Sequence, residues 1–167
     1  MVTVKSDSPA PVLPEWSEPW EAAHGNATAA TLFVETFGEA PVGTWSAPGR
    51  INLIGEHADY DRGLSLSAIL RHRTFVAGSL RDDRRIRVTS ADGAQCDDPG
   101  TLFEVGIDSI SPATCEGWPA FVSGVIWALI ERGYDGPGLN LAFTSSIPLA
   151  ASLGSSAALS CGTARAT

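Results

Sequence analysis

Glu56, His57 and Asp59 crowd together behind Gly55, and Arg50 leads the same segment, Gly49-Arg50-Ile51-Asn52-Leu53-Ile54-Gly55-Glu56-His57-Ala58-Asp59-Tyr60-Asp61-Arg62-Gly63. Two carboxylates and an imidazole on one turn concentrate hydrogen-bond acceptors and donors in a small volume. A polyhydroxylated ligand needs such a set, because each of its hydroxyls both donates and accepts. Arg50 adds a planar cation suited to spreading the charge of a phosphoryl group. Any one of these side chains alone reads as decoration of an exposed loop. As a contiguous set they read as a binding segment.

A second segment offers different chemistry. Ser145-Ser146-Ile147-Pro148-Leu149-Ala150-Ala151-Ser152-Leu153-Gly154-Ser155-Ser156-Ala157-Ala158-Leu159 is made largely of small residues and lies between a strand-like run and a helix-like one. Such a loop turns unsatisfied backbone N–H groups and the positive end of a helix toward an anion, which makes a phosphate cradle. Ser155 and Ser156 add hydroxyls that can bond phosphate oxygens or a magnesium ion, or can serve as ordinary caps of the next helix. The Gly-Lys-Ser/Thr of a Walker loop is missing, which excludes that class.

Both segments need a frame. Leu32, Phe33 and Phe37 recur at helical spacing between Ala27 and Glu39, and Gly38 marks the stop. Thr44 to Ala47 reads as a strand entering a Pro48-Gly49 turn. Thr74 to Leu80 and Ile86 to Ser90 read as strands joined in a hairpin or meander through Asp82-Asp83, with Leu102 to Val105 as a further short strand. Pro119 opens the clearest helix. Its stripe of Phe121, Val122, Val125, Ile126, Leu129 and Ile130 is expected to face the core, and Gly133 ends it. Leu139, Leu141 and Phe143 alternate as a half-buried strand, and Ser155 to Ala166 has helical propensity, so strand, loop and helix follow in the order a phosphate loop requires. Residues 1–20 carry Pro9, Pro11, Pro14 and Pro19 and read as an irregular arm on which Trp16 and Trp20 dock.

Composition sets the outer limits. A chain of 167 residues, 44% hydrophobic and 18% charged, supports one ordinary core and one globular domain. With 11 Lys and Arg against 19 Asp and Glu, the net charge of −8 argues against a nucleic-acid surface. The basic run from Arg81 to Arg87 is interrupted by Asp82 and Asp83 and reads as a solvated turn. Cys96, Cys115 and Cys161 are odd in number and show no CxxC spacing, so neither a disulfide framework nor a zinc site is indicated and a reducing cytoplasm fits. No stretch approaches the ~18 apolar residues of a membrane span, and the N-terminus lacks the apolar core of a signal peptide. His24 and His72 match no motif and are expected to be incidental surface or packing residues.

The two segments in this order resemble the GHMP kinases, named for galactokinase, homoserine, mevalonate and phosphomevalonate kinases. The first segment is similar to the signature of the galactokinases within that family, Gly-Arg-x-Asn-Leu-Ile-Gly-Glu-His-Thr-Asp-Tyr-Asn-x-Gly, with Ala58 in place of Thr and Asp61 in place of Asn. The second is similar to the family loop Pro-x-Gly-x-Gly-Leu-x-Ser-Ser-Ala, and Gly117-Trp118 leading into Gly124-Val125-Ile126-Trp127-Ala128-Leu129 adds to the likeness, which runs from about Trp45 to the last residue. The resemblance implies an α+β GHMP kinase N-terminal domain over residues 21–167, incomplete, with the signature at 49–63, the phosphate loop at 147–158 and no C-terminal GHMP domain. It implies ATP-dependent phosphorylation of the galactose 1-hydroxyl. Arg50 would assist at the reacting centre, and Glu56, His57 and Asp59 would hold sugar hydroxyls. Leu153, Gly154, Ser155, Ser156 and Ala157 would hold ATP phosphates, with Ser156 at the magnesium ion. The family's catalytic aspartate lies beyond this loop and is not among these residues, so the chain alone is expected to be inactive. Ala150 and Ser152 stand where the family loop has glycines, so a Cβ would obstruct either position if it needs positive φ or close approach. A catalytically silent galactose-binding sensor derived from such an enzyme is the competing reading: the missing glycines lean toward it, and the retained Ser156-Ala157 leans against it.

Overall fold

Phe33 and Phe37 belong to a helix that starts earlier than their spacing suggests. In the computed structural model, which describes residues 17–55, 58, 62–91, 102–133, 135–148 and 151–167, helix α1 spans Ala22–Phe37. Gly38 closes it in the left-handed region, its N–H on the carbonyl of Val34 at 2.9 Å. The first turns escape the apolar periodicity because Ala22, Ala23 and Gly25 carry little side chain. A Cβ at Gly25 would run into the Phe75 ring. A glycine inside a helix costs about 1 kcal/mol against alanine, and here it lets α1 lie close on the sheet.

That sheet has five strands: β1 Gly43–Ile54, β2 Leu66–Arg81, β3 Arg85–Ser90, β4 Phe103–Gly106 and β5 Gly138–Ser145, in the order β1-β2-β5-β3-β4. Helix α2, Pro119–Ile130, precedes β5, and α3, Ser155–Ala166, follows it. Along β2 successive side chains point to opposite faces. Phe75 and Ala77 meet Ala29 and Phe33 of α1, whereas Val76 joins Val88, Leu141, Phe143, Val122, Ile126 and Leu159 in the core shared with α2 and α3. The result is three layers, with one helix on one face of a mixed sheet and two on the other.

Four sequence expectations are corrected. Pro48-Gly49 is not a turn: β1 runs through it with a shift in pairing between Pro48 and Arg50. Proline has no N–H to give to a ladder, and β1 is an edge strand, where that donor is dispensable. β2 and β3 are joined through Asp82-Asp83 but do not pair, because β5 lies between them, antiparallel to β2 and parallel to β3. β5 is therefore the middle strand, buried from Gly138 through Thr144 rather than on one face. In α2 the buried residues are Pro119, Val122, Ser123 and Ile126, while Phe121 is 46% exposed. A helix apolar on nearly all sides does not announce its buried face.

Trp20, just ahead of α1, is docked. Trp20 stacks on Phe75 with ring centroids 6.2 Å apart and meets His24 edge-on at 5.2 Å. His72 Nε2 donates to the carbonyl of Ser17 at 2.7 Å, so both histidines have packing roles. Trp16 lies outside the described residues. The basic run is neutralised in place: Arg81 pairs with Asp83, Arg84 with Asp108 and Asp135, and Arg85 and Arg87 with Glu104.

Candidate functional site

β2 pairs with β5 only from Thr74 onward, whereas its first half, from Leu66, pairs with β1 alone. Arg50–Ile54 and the start of β2 therefore form a two-stranded ribbon that carries the first segment beyond the body of the sheet. β5 ends at Ser145 opposite Thr74, and α3 begins at Ser155.

The two segments meet there. The N–H of Arg50 donates to the carbonyl of Leu153 at 2.9 Å. Beneath that bond Ala47, Ile147 and Ala158 are buried together, with Leu153 packed against them. The approach is close enough to require glycine on both sides. A Cβ at Gly49 would stand 2.7 Å from the Leu153 carbonyl oxygen, and one at Gly154 would stand 3.0 Å from Arg50 Cγ and 3.2 Å from its backbone nitrogen. Gly154 also has φ 71°, the left-handed region that other residues seldom enter.

Gly154 is the residue before the first turn of α3, and the N–H of Ala158 returns to its carbonyl at 2.9 Å. Among the described residues no side chain caps this end, so the amides of Ser155, Ser156 and Ala157 precede the first intrahelical bond and have no acceptor within the helix. The capping role open to Ser155 and Ser156 is thus not the one they take, and the Ser156 side chain is exposed. A cleft of about 120 Å³ opens beside this end, lined by Arg50, Asn52, Ser152 and Gly154. The set suits a phosphate: helix-end amides, a guanidinium alongside, and no carboxylate among the four lining residues. The exposed Ser156 hydroxyl suits a magnesium ion bound to that phosphate.

Ser152 bears on the family glycines directly. It has φ 57°, so the position does call for the left-handed region, and a residue with a Cβ occupies it at a cost of roughly 1–2 kcal/mol. Ala150, like Leu149, lies outside the described residues. So do Glu56, His57 and Asp59, with Tyr60 and Asp61. Among their described neighbours, the N–H of Ala58 donates to the carbonyl of Gly55 at 3.1 Å and the N–H of Gly63 to the carbonyl of Ala58 at 2.7 Å.

Asn52 stands in the signature segment without a chemistry of its own there, and Ser67 lies outside both segments. Asn52 Oδ1 accepts the Ser67 hydroxyl at 2.6 Å, which holds the amide at the cleft. Only the pairing of Asn52 with Ser67 across the ribbon brings them together, and nothing local in the sequence signals it.

Comparison with known proteins fits this geometry. Residues 31–80 match the galactokinase galactose-binding signature, and residues 120–167 match the N-terminal domain of the GHMP kinases. The galactokinase of Streptomyces coelicolor is 42% identical over 138 residues, covering 81% of this chain and 34% of that protein. That of Clostridium perfringens (strain 13) is 37% identical, covering 79% of this chain and 33% of that protein. Among solved structures, Lactococcus lactis galactokinase complexed with galactose superposes with a TM-score of 0.67 at 32% identity, covering 80% of this chain and 34% of that one. Methanococcus jannaschii mevalonate kinase shares the fold, with a TM-score of 0.59 at 19% identity over 74% of this chain and 38% of that one. The chain thus spans about a third of the length of the curated relatives it matches.

The chain belongs to the GHMP kinases, whose N-terminal domain it carries. Within that family its signature segment is of the galactokinase type.

Proposed function

We propose that this chain supplies the N-terminal half-site of an ATP-dependent galactokinase, which transfers the terminal phosphoryl group of ATP to the 1-hydroxyl of galactose in the cytoplasm. Residues 21–167 form the domain and residues 1–20 its arm. The observation that carries the reading is the bond between Arg50 and Leu153, which joins the sugar-type segment to the phosphate-type loop. A kinase must hold its acceptor hydroxyl and its donor phosphate side by side, since phosphoryl transfer asks mainly for positioning and charge neutralisation. In this reading Glu56, His57 and Asp59 bind sugar hydroxyls, and Arg50 faces the reacting phosphoryl group. The amides from Leu153 to Ala157 hold the nucleotide phosphates, and the Ser156 hydroxyl reaches the magnesium ion. When bound, magnesium and ATP supply the transferable group and neutralise its charge. The Lactococcus lactis galactokinase was solved in complex with galactose, which supports the choice of sugar.

Nuclear magnetic resonance titration of the 167-residue chain tests the two halves separately. Galactose should shift the amides of residues 50–63, and magnesium–ATP those of residues 152–157. Asp59→Ala should weaken galactose binding by the loss of one or more hydrogen bonds, about 1–3 kcal/mol each, without altering the nucleotide shifts. Galactose affinity unchanged in that variant would remove Asp59 from the site, and the absence of any shift with either ligand would sink the whole assignment.

A further inference from the structure

Asn52 lines the phosphate cleft together with Arg50. Between these two residues the pairing of β1 with β2 is regular, so their side chains lie on one face of the ribbon. Ser67 is the register partner of Asn52, and its hydroxyl donates to Asn52 Oδ1 at 2.6 Å. That length fits an O–H···O bond and falls short of the N–H···O range, which puts the oxygen of the amide, and not its nitrogen, on Ser67. The other end of the amide carries two N–H donors, and Nδ2 bonds no group among the described residues.

The free end suits what surrounds it. Arg50 offers its guanidinium, Ser152 a hydroxyl, and the first turn of α3 its unpaired amides, so the cleft is lined by donors. With Nδ2 toward the cleft, Asn52 adds one more. Turned over, the amide would set a carbonyl oxygen against a phosphate oxygen and repel it. The bond from Ser67 keeps Oδ1 paired outside the cleft, and a paired carbonyl polarises the amide so that its N–H groups donate more strongly.

We propose that Asn52 Nδ2 donates directly to the bound phosphate and that Ser67 is the positioning residue that holds the amide for it. This rests on the nucleotide reading of the cleft given above. Magnesium–ATP added to the 167-residue chain should shift the side-chain amide resonances of Asn52 together with the backbone amides of residues 155–157. Asn52→Ala should weaken magnesium–ATP binding by about tenfold or more, and Ser67→Ala by about threefold to tenfold. Ser67→Thr, which keeps the hydroxyl, should restore the parent affinity. In the Asn52→Ala background Ser67→Ala should cost nothing further, because Ser67 acts through Asn52. Equal losses from Ser67→Ala with and without Asn52 would make Ser67 a strand residue only and overturn its role. Shifts at residues 155–157 with the Asn52 side chain silent would overturn the donor and leave the nucleotide reading standing, a comparison that needs no variant to fold. No shift at residues 155–157 would remove both.

Discussion

Ser152 sets one residue's strain against the reach of a loop. The chain enters the left-handed region at Ser152 and again at Gly154, with φ 57° and 71°, and only the second position has a residue suited to it. A non-glycine residue there costs roughly 1–2 kcal/mol, and glycine brings back part of that in chain entropy, about 0.5–1 kcal/mol. Ser152→Gly should therefore raise stability by up to about 1 kcal/mol, seen as a higher midpoint in chemical denaturation. Since the loop already reaches its conformation with serine, phosphate or nucleotide affinity should improve no more than severalfold. Ser152→Val should lower the midpoint, because a branched Cβ enters that region least readily. A Ser152→Gly variant no more stable than the parent would show that the backbone is not strained there. The requirement at Gly154 is steric as well as torsional, since its neighbour is the Arg50 backbone.

Elements explain why some of this was legible and some was not. α3 was readable to its boundaries from its run of small residues, even though Gly162 and Thr163 within it are weak helix formers, and the stop at Gly38 followed from its positive φ, whereas α2 ends at Ile130 with Glu131 rather than Gly133 at its cap. The place of β5 was not readable. Its alternation of Leu139, Leu141 and Phe143 is what a half-buried strand shows, and only the insertion of the strand between β2 and β3 covers both faces. The same insertion undid the expected hairpin, since a short polar turn signals a reversal of direction but not which strands then pair. The junction of Arg50 with Leu153 depends on packing around Ile147 and Ala158, so both motifs were visible in the sequence and their contact was not. The turn between β2 and β3 carries its own prediction. Arg81 bonds the Asp83 carboxylate and lowers its pKa from 3.8 to about 2. A carboxyl whose folded pKa is depressed stabilises the fold above its unfolded pKa, and that contribution disappears as the pH falls through about 2. Asp83→Asn should therefore lower the thermal midpoint slightly at neutral pH and flatten its fall between about pH 4 and pH 2. Melting curves across that range in both proteins make the comparison, and parallel acid limbs would remove the pair from the account.

At the scale of the whole molecule, the cleft stands open. Leu53, Ile54, Leu64, Leu66 and Ile69 on and beside the ribbon are each more than half exposed, and the Ser156 side chain at the start of α3 faces solvent. Water in such a cleft weakens every charge interaction at a bound phosphate, because electrostatic stabilisation of the transferring group depends on a dry and preorganised site. The 138 matched residues span 34% of the Streptomyces coelicolor relative, and no residue assigned to the half-site has the role of deprotonating the sugar 1-hydroxyl. General-base assistance alone contributes about 10²–10⁴-fold in rate, and positioning of the two reactants adds further orders of magnitude. The 167-residue polypeptide by itself is therefore expected to bind galactose weakly and to form no product. Incubated with galactose, ATP and magnesium, it should yield no more galactose 1-phosphate by mass spectrometry than a heat-denatured control. Product above that control would mean that Arg50 and the α3 amides suffice for the chemistry and that the half-site is in fact a whole one.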